Sequence, residues 1–203
     1  IMARLYPSPF APGYWPDALR SLRNLRVLSV AALLLAIQTV LGAFFIPIMG
    51  GAVRVQFTFL SASLAGLVCG PMVAPLYGVA GDLLGFFLFP KGDPFFPGYT
   101  LSAVLAAVLY ALWLYRARIT VLRLALCRGS VNIFVNAMVG SIWRTMLYGG
   151  GSYGFYLKAS LIKNLAMLPI ETAILVLLMR LLLPALSRGG FVPPQPQARI
   201  PLR

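Results

Sequence analysis

The sequence predicts an all-α integral membrane protein of six transmembrane helices, and three observations lead there. Of its 203 residues, 60% are hydrophobic and 10% charged, where ordinary soluble domains carry roughly 25% charged residues. The apolar residues gather in runs of about 20, the length a helix needs to cross the hydrocarbon core of a bilayer. The cations flank those runs instead of forming a solvated basic face, as membrane topology signals do. A soluble fold of this size could not hide so much apolar surface, whereas lipid serves as its solvent.

Taken in order, the first span runs over Val27–Ile46, uncharged and closed by Pro47 and Gly50-Gly51. The second, Val55–Cys69, is short and ends at Gly70-Pro71. The third, Met72–Phe89, contains Asp82, and the loop Pro90-Lys91-Gly92-Asp93-Pro94 follows. The fourth covers Tyr99–Tyr115, and a basic loop with Arg116, Arg118, Arg123 and Arg128 leads to the fifth, Val131–Tyr148. The sixth, Phe155–Leu183, is long enough to tilt or to begin outside the bilayer. The chain thus divides into an N-terminal tail, 1–24, a six-helix membrane domain, 25–186, and a Pro-rich C-terminal tail, 187–203, expected to be mobile. Residues 1–24 are polar and Pro-rich, and no cleavable signal peptide is expected.

Six spans put both termini on one side. Twelve of the 17 cations fall there, including the four loop arginines, which makes that side cytoplasmic. Arg54, Lys91, Arg144, Lys158 and Lys163 then lie in the outer half or on the outer face. Small residues recur at spacing four: Ala32 and Ala36, then Ala62, Gly66 and Gly70, then Ala103, Ala107 and Ala111. Such faces either pack helices within the bundle or dock another membrane protein.

The chemistry the chain lacks narrows the classes. It has no histidine, which removes His-based triads and His-ligated metals. Cys69 and Cys127 form no CxxC pair. No GxxxxGK[ST] is present, so ATP hydrolysis by this chain is not expected. No metal or cofactor is expected. The net charge of +13 belongs to topology rather than to a nucleic-acid surface.

The outer cations call for a counter-charge, since intramembrane charge usually faces a bundle interior or an aqueous cavity. Arg54, Arg144, Lys158 and Lys163 outnumber the nearby acids Asp82, Asp93 and Glu171. They either snorkel to headgroups or meet an anionic ligand. Phe57, Phe95, Phe96 and Tyr99 crowd the same side, as an interfacial belt or as stacking surfaces for a flat aromatic molecule. Thr100 and Ser102 follow them, and Asn136 and Asn164 offer donors and acceptors in the outer half. Asp82 is either structural or reaches the ligand.

In order along the chain, Arg54-Val55-Gln56-Phe57-Thr58-Phe59-Leu60, Gly70-Pro71, Gly81-Asp82-Leu83-Leu84-Gly85 and Phe96-Pro97-Gly98-Tyr99-Thr100-Leu101-Ser102-Ala103 resemble motifs of the folate-specific substrate-binding (S) components of energy-coupling factor (ECF) vitamin transporters. Leu161-Ile162-Lys163-Asn164-Leu165 and Met167-Leu168-Pro169-Ile170-Glu171 resemble that family's last helix. The resemblance covers about residues 27–183. It implies an S-component-like bundle that captures a vitamin at the outer face of a bacterial cell membrane. It also implies a transmembrane coupling (T) subunit and two cytoplasmic ATPases as partners, with Ala32 and Ala36 as the docking pair. Ser160 stands where the family often has Arg, and Arg144 is expected to supply that cation from the facing helix. An S component for riboflavin, biotin or pantothenate is the nearest alternative, and a ligand-free structural or chaperone protein is another.

Overall fold

The structure, a computed structural model, describes residues 5–48, 53–89, 95–148, 151–195 and 200–202, with backbone alone over 45–48 and 53–55. Its elements run α1 (Tyr14–Ser21), α2 (Leu25–Ala43), β1 (Phe45–Ile48), β2 (Val53–Gln56), α3 (Thr58–Cys69), α4 (Ala74–Leu88), α5 (Pro97–Leu114), α6 (Val121–Ser130), a π-helical segment (Val131–Val139), α7 (Gly140–Tyr148) and α8 (Tyr153–Arg188). The predicted loop 90–94, with Lys91 and Asp93, lies outside the described residues. Among the described residues, four helices are long and apolar enough to cross a membrane: α2, α5, the continuous Val121–Leu147 and α8. α3 and α4 are equally apolar but shorter. At 12 residues, α3 rises about 18 Å, against a hydrocarbon core of about 30 Å.

Local chemistry sets the boundaries. Asn24 caps α2 by accepting the Arg26 N–H at 3.1 Å. Thr120 caps α6, accepting the Arg123 N–H at 3.1 Å. Pro97 opens α5, where a missing N–H costs nothing. Gly70 ends α3 at φ +78° with the Tyr115 ring against it, so any side chain there would be both strained and crowded.

Several boundaries differ from the expected ones: α2 ends at Ala43, so Ile46, expected at the end of the first span, falls in β1, and α8 runs on to Arg188, past the expected Leu183. The second span was expected to start at Val55, yet 53–56 is a strand paired antiparallel with 45–48, Phe45 opposite Gln56 and Pro47 opposite Arg54. Ile46, Ile48, Val53 and Val55 are β-branched, and that preference overrides apolarity. The fifth span was expected from Val131, but its helix begins at Val121. The basic segment is therefore a loop only as far as Thr120.

Both tails are partly folded over their described residues. α1 buries Tyr14, Ala18 and Ser21 at helical spacing. Tyr6 donates its N–H to Arg116 O at 2.8 Å and its hydroxyl to Asp17 Oδ2 at 2.8 Å. That hydroxyl bond, with burial adding to it, holds the Tyr6 phenol above its ordinary value. Arg116, at φ 48°, pairs with Asp17. At the other end, Gln195 accepts the Ile119 N–H at 3.1 Å and donates to Ala117 O at 3.3 Å. Val121 and Leu122 donate to Pro201 O and Leu202 O. Both tails thus clamp the 115–122 segment.

Helices α3, α4 and α5 pack through bare backbone. A Cβ on Gly66 would sit 2.7 Å from Ala111 N, and one on Gly78 2.7 Å from Val104 Cα. Ala107 and Ala111 are buried in the same seams. The small-residue runs on these helices thus serve the bundle interior, while Ala32 and Ala36 lie exposed on α2.

Arg128 was expected in a cytoplasmic loop; it is instead buried in α6, 6% exposed. Its Nε and Nη2 donate to the two carboxylate oxygens of Glu171 on α8 at 2.9 and 2.7 Å. Nη1 donates to the Tyr110 hydroxyl, and Asn132 donates to Glu171 Oε2 at 2.7 Å. The guanidinium carbon lies 4.2 Å from the Phe59 ring centroid.

Two stability predictions follow. Gly78→Ala should destabilise the protein by about 1–3 kcal/mol, because the contact is backbone and cannot yield. Gly85→Ala, whose Cβ meets nothing within 4 Å, should be neutral or slightly stabilising; thermal unfolding in detergent compares the two, and equal effects would contradict the packing. For the ion pair, Glu171→Leu alone should cost about 3–5 kcal/mol, with much of the loss recovered in Arg128→Leu/Glu171→Leu. A double variant as unstable as the single one would show that the pair contributes net stability.

Candidate ligand-binding site

The bundle encloses a cavity of about 350 Å³ reached by nine elements. That falls within the range of pockets that bury small organic ligands. α5 lines it from Tyr99 through Ser102 and Ala106 to Tyr110, 12 residues spanning about 16 Å of helix rise, so an elongated molecule can lie along it.

One wall is cationic. It is built by a ladder along the fifth span in which Arg128, Asn136, Gly140 and Arg144 line the cavity and Asn132 fills the gap in the series. The spacing is four throughout. In a pure α-helix each such step turns about 40° past a full circle, and four steps would carry Arg144 to the far side. The π turns of 131–139 hold more residues each and cancel that drift, which fits the frequent placement of π-bulges at functional sites. Asn136 Nδ2 donates to Asn132 Oδ1 at 3.0 Å, extending the chain of bonds from Glu171. Opposite, α8 contributes Lys163, Asn164, Met167 and Glu171. Arg144 Nη2 donates to Ser160 Oγ at 3.1 Å, which brings the guanidinium to the position expected to lack its cation. Ser160 Oγ donates to Asn136 O at 3.4 Å, and Asn164 Nδ2 to Ser160 O at 2.8 Å.

The charge balance is uneven. Among the described lining residues, Arg128, Arg144 and Lys163 face one carboxylate, Glu171, a surplus of two positive charges. Glu171 is committed to Arg128, and among the described residues no carboxylate pairs with Arg144 or Lys163. The other wall is neutral and polar, with Gln38 of α2, Gln56 of β2, Thr58 of α3 and Tyr77 of α4.

Of the residues predicted for the site, Tyr99, Ser102, Asn136, Arg144, Lys163 and Asn164 come together around the cavity. Phe96 supports it from behind, its ring 5.6 Å from both Tyr99 and Trp143. Trp143 donates to Ser102 Oγ at 2.9 Å. A Cβ on Gly98 would fall 2.8 Å from the indole, so glycine is needed for this contact. Thr100 points elsewhere, donating to Asp82 Oδ2 at 2.6 Å. Phe95 is exposed and packs on Phe86, Lys158 is exposed, and Phe57 caps α3; none of these three lines the cavity. The Arg54 side chain lies outside the described residues. Sequence reasoning passed over Arg128, Tyr110, Gln38, Gln56 and Tyr77. The period-four series Arg128, Asn132, Asn136, Gly140, Arg144 was the signal that could have found the first.

A family model described as "ECF transporter, substrate-specific component" matches residues 26–186. The "Folate transporter FolT" of Clostridium novyi (strain NT) is 30% identical over 154 residues, covering 76% of this chain and 88% of that protein. The "Folate transporter FolT" of Leuconostoc mesenteroides is 28% identical over 148 residues, covering 70% and 78%. A solved structure described as "Crystal structure of FolT bound with folic acid" superposes with a TM-score of 0.64 at 27% identity, covering 74% of this chain and 89% of that one. Matched along nearly its whole membrane domain, the chain belongs to the substrate-specific components of ECF transporters, which are multi-pass membrane proteins of transport and not enzymes.

Proposed function

We propose that this chain is the folate-binding S component of an ECF-type importer. It captures folate at the outer face of the bacterial plasma membrane and delivers it with a transmembrane T subunit and two cytoplasmic ATPases. In this reading six spans place both termini in the cytoplasm, α3 and α4 being the short ones, and the cavity opens outward at Tyr99 and Arg144. The observation that carries it is the surplus of two positive charges in a cavity with aromatic and amide walls, because the glutamate tail of folate brings two carboxylates to a flat, neutral pterin. The names of the relatives and the folic-acid-bound neighbour support the same ligand. Arg144, hydrogen-bonded to Ser160, stands in for the cation the family often has at the latter position.

Arg144 and Lys163 read the tail. A hydrogen bond to a charged group is worth roughly 1.5–3 kcal/mol, so Lys163→Ala and Arg144→Ala should each weaken folate binding about 10-fold to 100-fold. Pteroate, which lacks the glutamate, should lose much less. Isothermal titration of the purified protein, with riboflavin and biotin as competitors, measures both. Equal losses for folate and pteroate would take these residues off the tail, and preference for a competitor would reassign the vitamin.

Ala32 and Ala36 are exposed on α2, where bulk would block close approach of a partner helix. Replacing both with Trp should abolish uptake by cells carrying the whole transporter while folate binding by the isolated subunit stays within about 3-fold, no more than the loss of one weak hydrogen bond. Parallel loss of both activities would remove α2 from the docking surface.

A further inference from the structure

The neutral wall of the cavity holds one polar atom that its surroundings leave unsatisfied. Gln38, one turn beyond Leu34 on α2, lines the cavity, and its Oε1 is buried with no hydrogen-bond partner. Two hydroxyls that bond the turn before it are committed there: Ser61 Oγ and Tyr77 Oη donate to Leu34 O at 2.5 and 3.1 Å and lie 3.1 Å from each other. A buried amide oxygen without a donor is destabilising, because it has lost water and gained nothing in return. Such an atom is rare in a folded interior and asks for a reason. A cavity wall supplies one, since a ligand donor can satisfy it.

The amide is held where it is by a glycine. A Cβ on Gly81 of α4 would collide with Gln38 Nε2, and Leu35 Cδ1 lies 3.5 Å from the same point. Gly81 begins the Gly81-Asp82-Leu83-Leu84-Gly85 stretch, and its lack of a side chain makes the slot in which the Gln38 amide rests.

Resting on the folate reading above, we infer that Gln38 is a specificity-determining residue for the aromatic end of the ligand. Its amide oxygen accepts an N–H of the pterin ring, and Gly81 is the positioning residue that makes room for it. The two walls give the ligand its direction. The carboxylates go to Arg144 and Lys163, and the ring, neutral and rich in N–H donors, goes to the side formed by α2, α3 and α4. A neutral acceptor suits a neutral donor, and no cation lies among the described lining residues of that wall.

The test uses three probes on the intact purified protein: folate, pteroate, and p-aminobenzoylglutamate, which keeps the tail and lacks the ring. Gln38→Leu should weaken folate and pteroate alike, roughly 3-fold to 10-fold for a neutral hydrogen bond, and leave p-aminobenzoylglutamate unchanged. Its melting temperature without ligand should hold or rise, because an unsatisfied buried group has been removed. Gly81→Ala should reproduce the affinity loss, and Gly81→Ala/Gln38→Leu should be no weaker than Gln38→Leu alone. Unchanged folate affinity in Gln38→Leu, an equal loss for all three probes, or full additivity of the two substitutions would each overturn the inference. Failure of the parent protein to bind folate at all would instead overturn the folate reading itself.

Discussion

The buried pairing of Arg128 with Glu171 is the interaction around which the rest of the membrane domain is arranged. Taking two charges out of water costs several kcal/mol each, and only good geometry with every remaining lone pair satisfied offsets that cost. Here the guanidinium engages both carboxylate oxygens, and Tyr110 and Asn132 occupy the remaining positions. Four helical segments, α5, α6, the π turns and α8, must therefore keep one mutual register. The pair lines the cavity at the end away from Arg144. It also cancels Glu171 as a counter-charge for Arg144 and Lys163, which is what leaves their end of the cavity cationic.

The π-helical segment is the second device. A regular α-helix from Arg128 to Arg144 could not present both cations to one cavity, because steps of four residues overshoot a 3.6-residue turn. Wider turns over 131–139 restore the alignment and open the backbone toward the interior. Polar groups spaced by four thus form one stripe from the buried ion pair to the Arg144–Ser160 contact. The local geometry of the helix and the electrostatics of the site are one arrangement seen at two scales.

Small residues do two jobs in this bundle. Gly66, Gly78, Ala107 and Ala111 let α3 and α4 lie against α5 at backbone contact. In lipid this close packing replaces the hydrophobic drive that holds soluble helices together. Gly81 leaves space for a polar side chain at the cavity wall. Ala32 and Ala36 are spaced in the same way yet face outward, so spacing four alone does not distinguish an internal seam from an external face.

The sequence by itself determined the solvent of this protein, its helical class and its family. Those follow from run length, charge placement and ordered motifs, all of which are local along the chain. It also placed Lys163, Asn164, Asn136 and Arg144 together, because a polar residue inside an apolar span has few places to go except inward. Tertiary structure alone decided the rest. Arg128 reads as one more loop cation until the Thr120 cap starts its helix early and Glu171, 43 residues away, meets it. Ile46, Val55 and Gln56 read as helix until 45–48 pairs antiparallel with 53–56. Thr100 and Ser102 sit two residues apart, yet one turns to Asp82 and the other to Trp143 at the cavity. Each of these outcomes depends on which distant group offers a charge or a hydrogen bond, and in a low-dielectric interior that partner, rather than local preference, fixes where a polar side chain can lie.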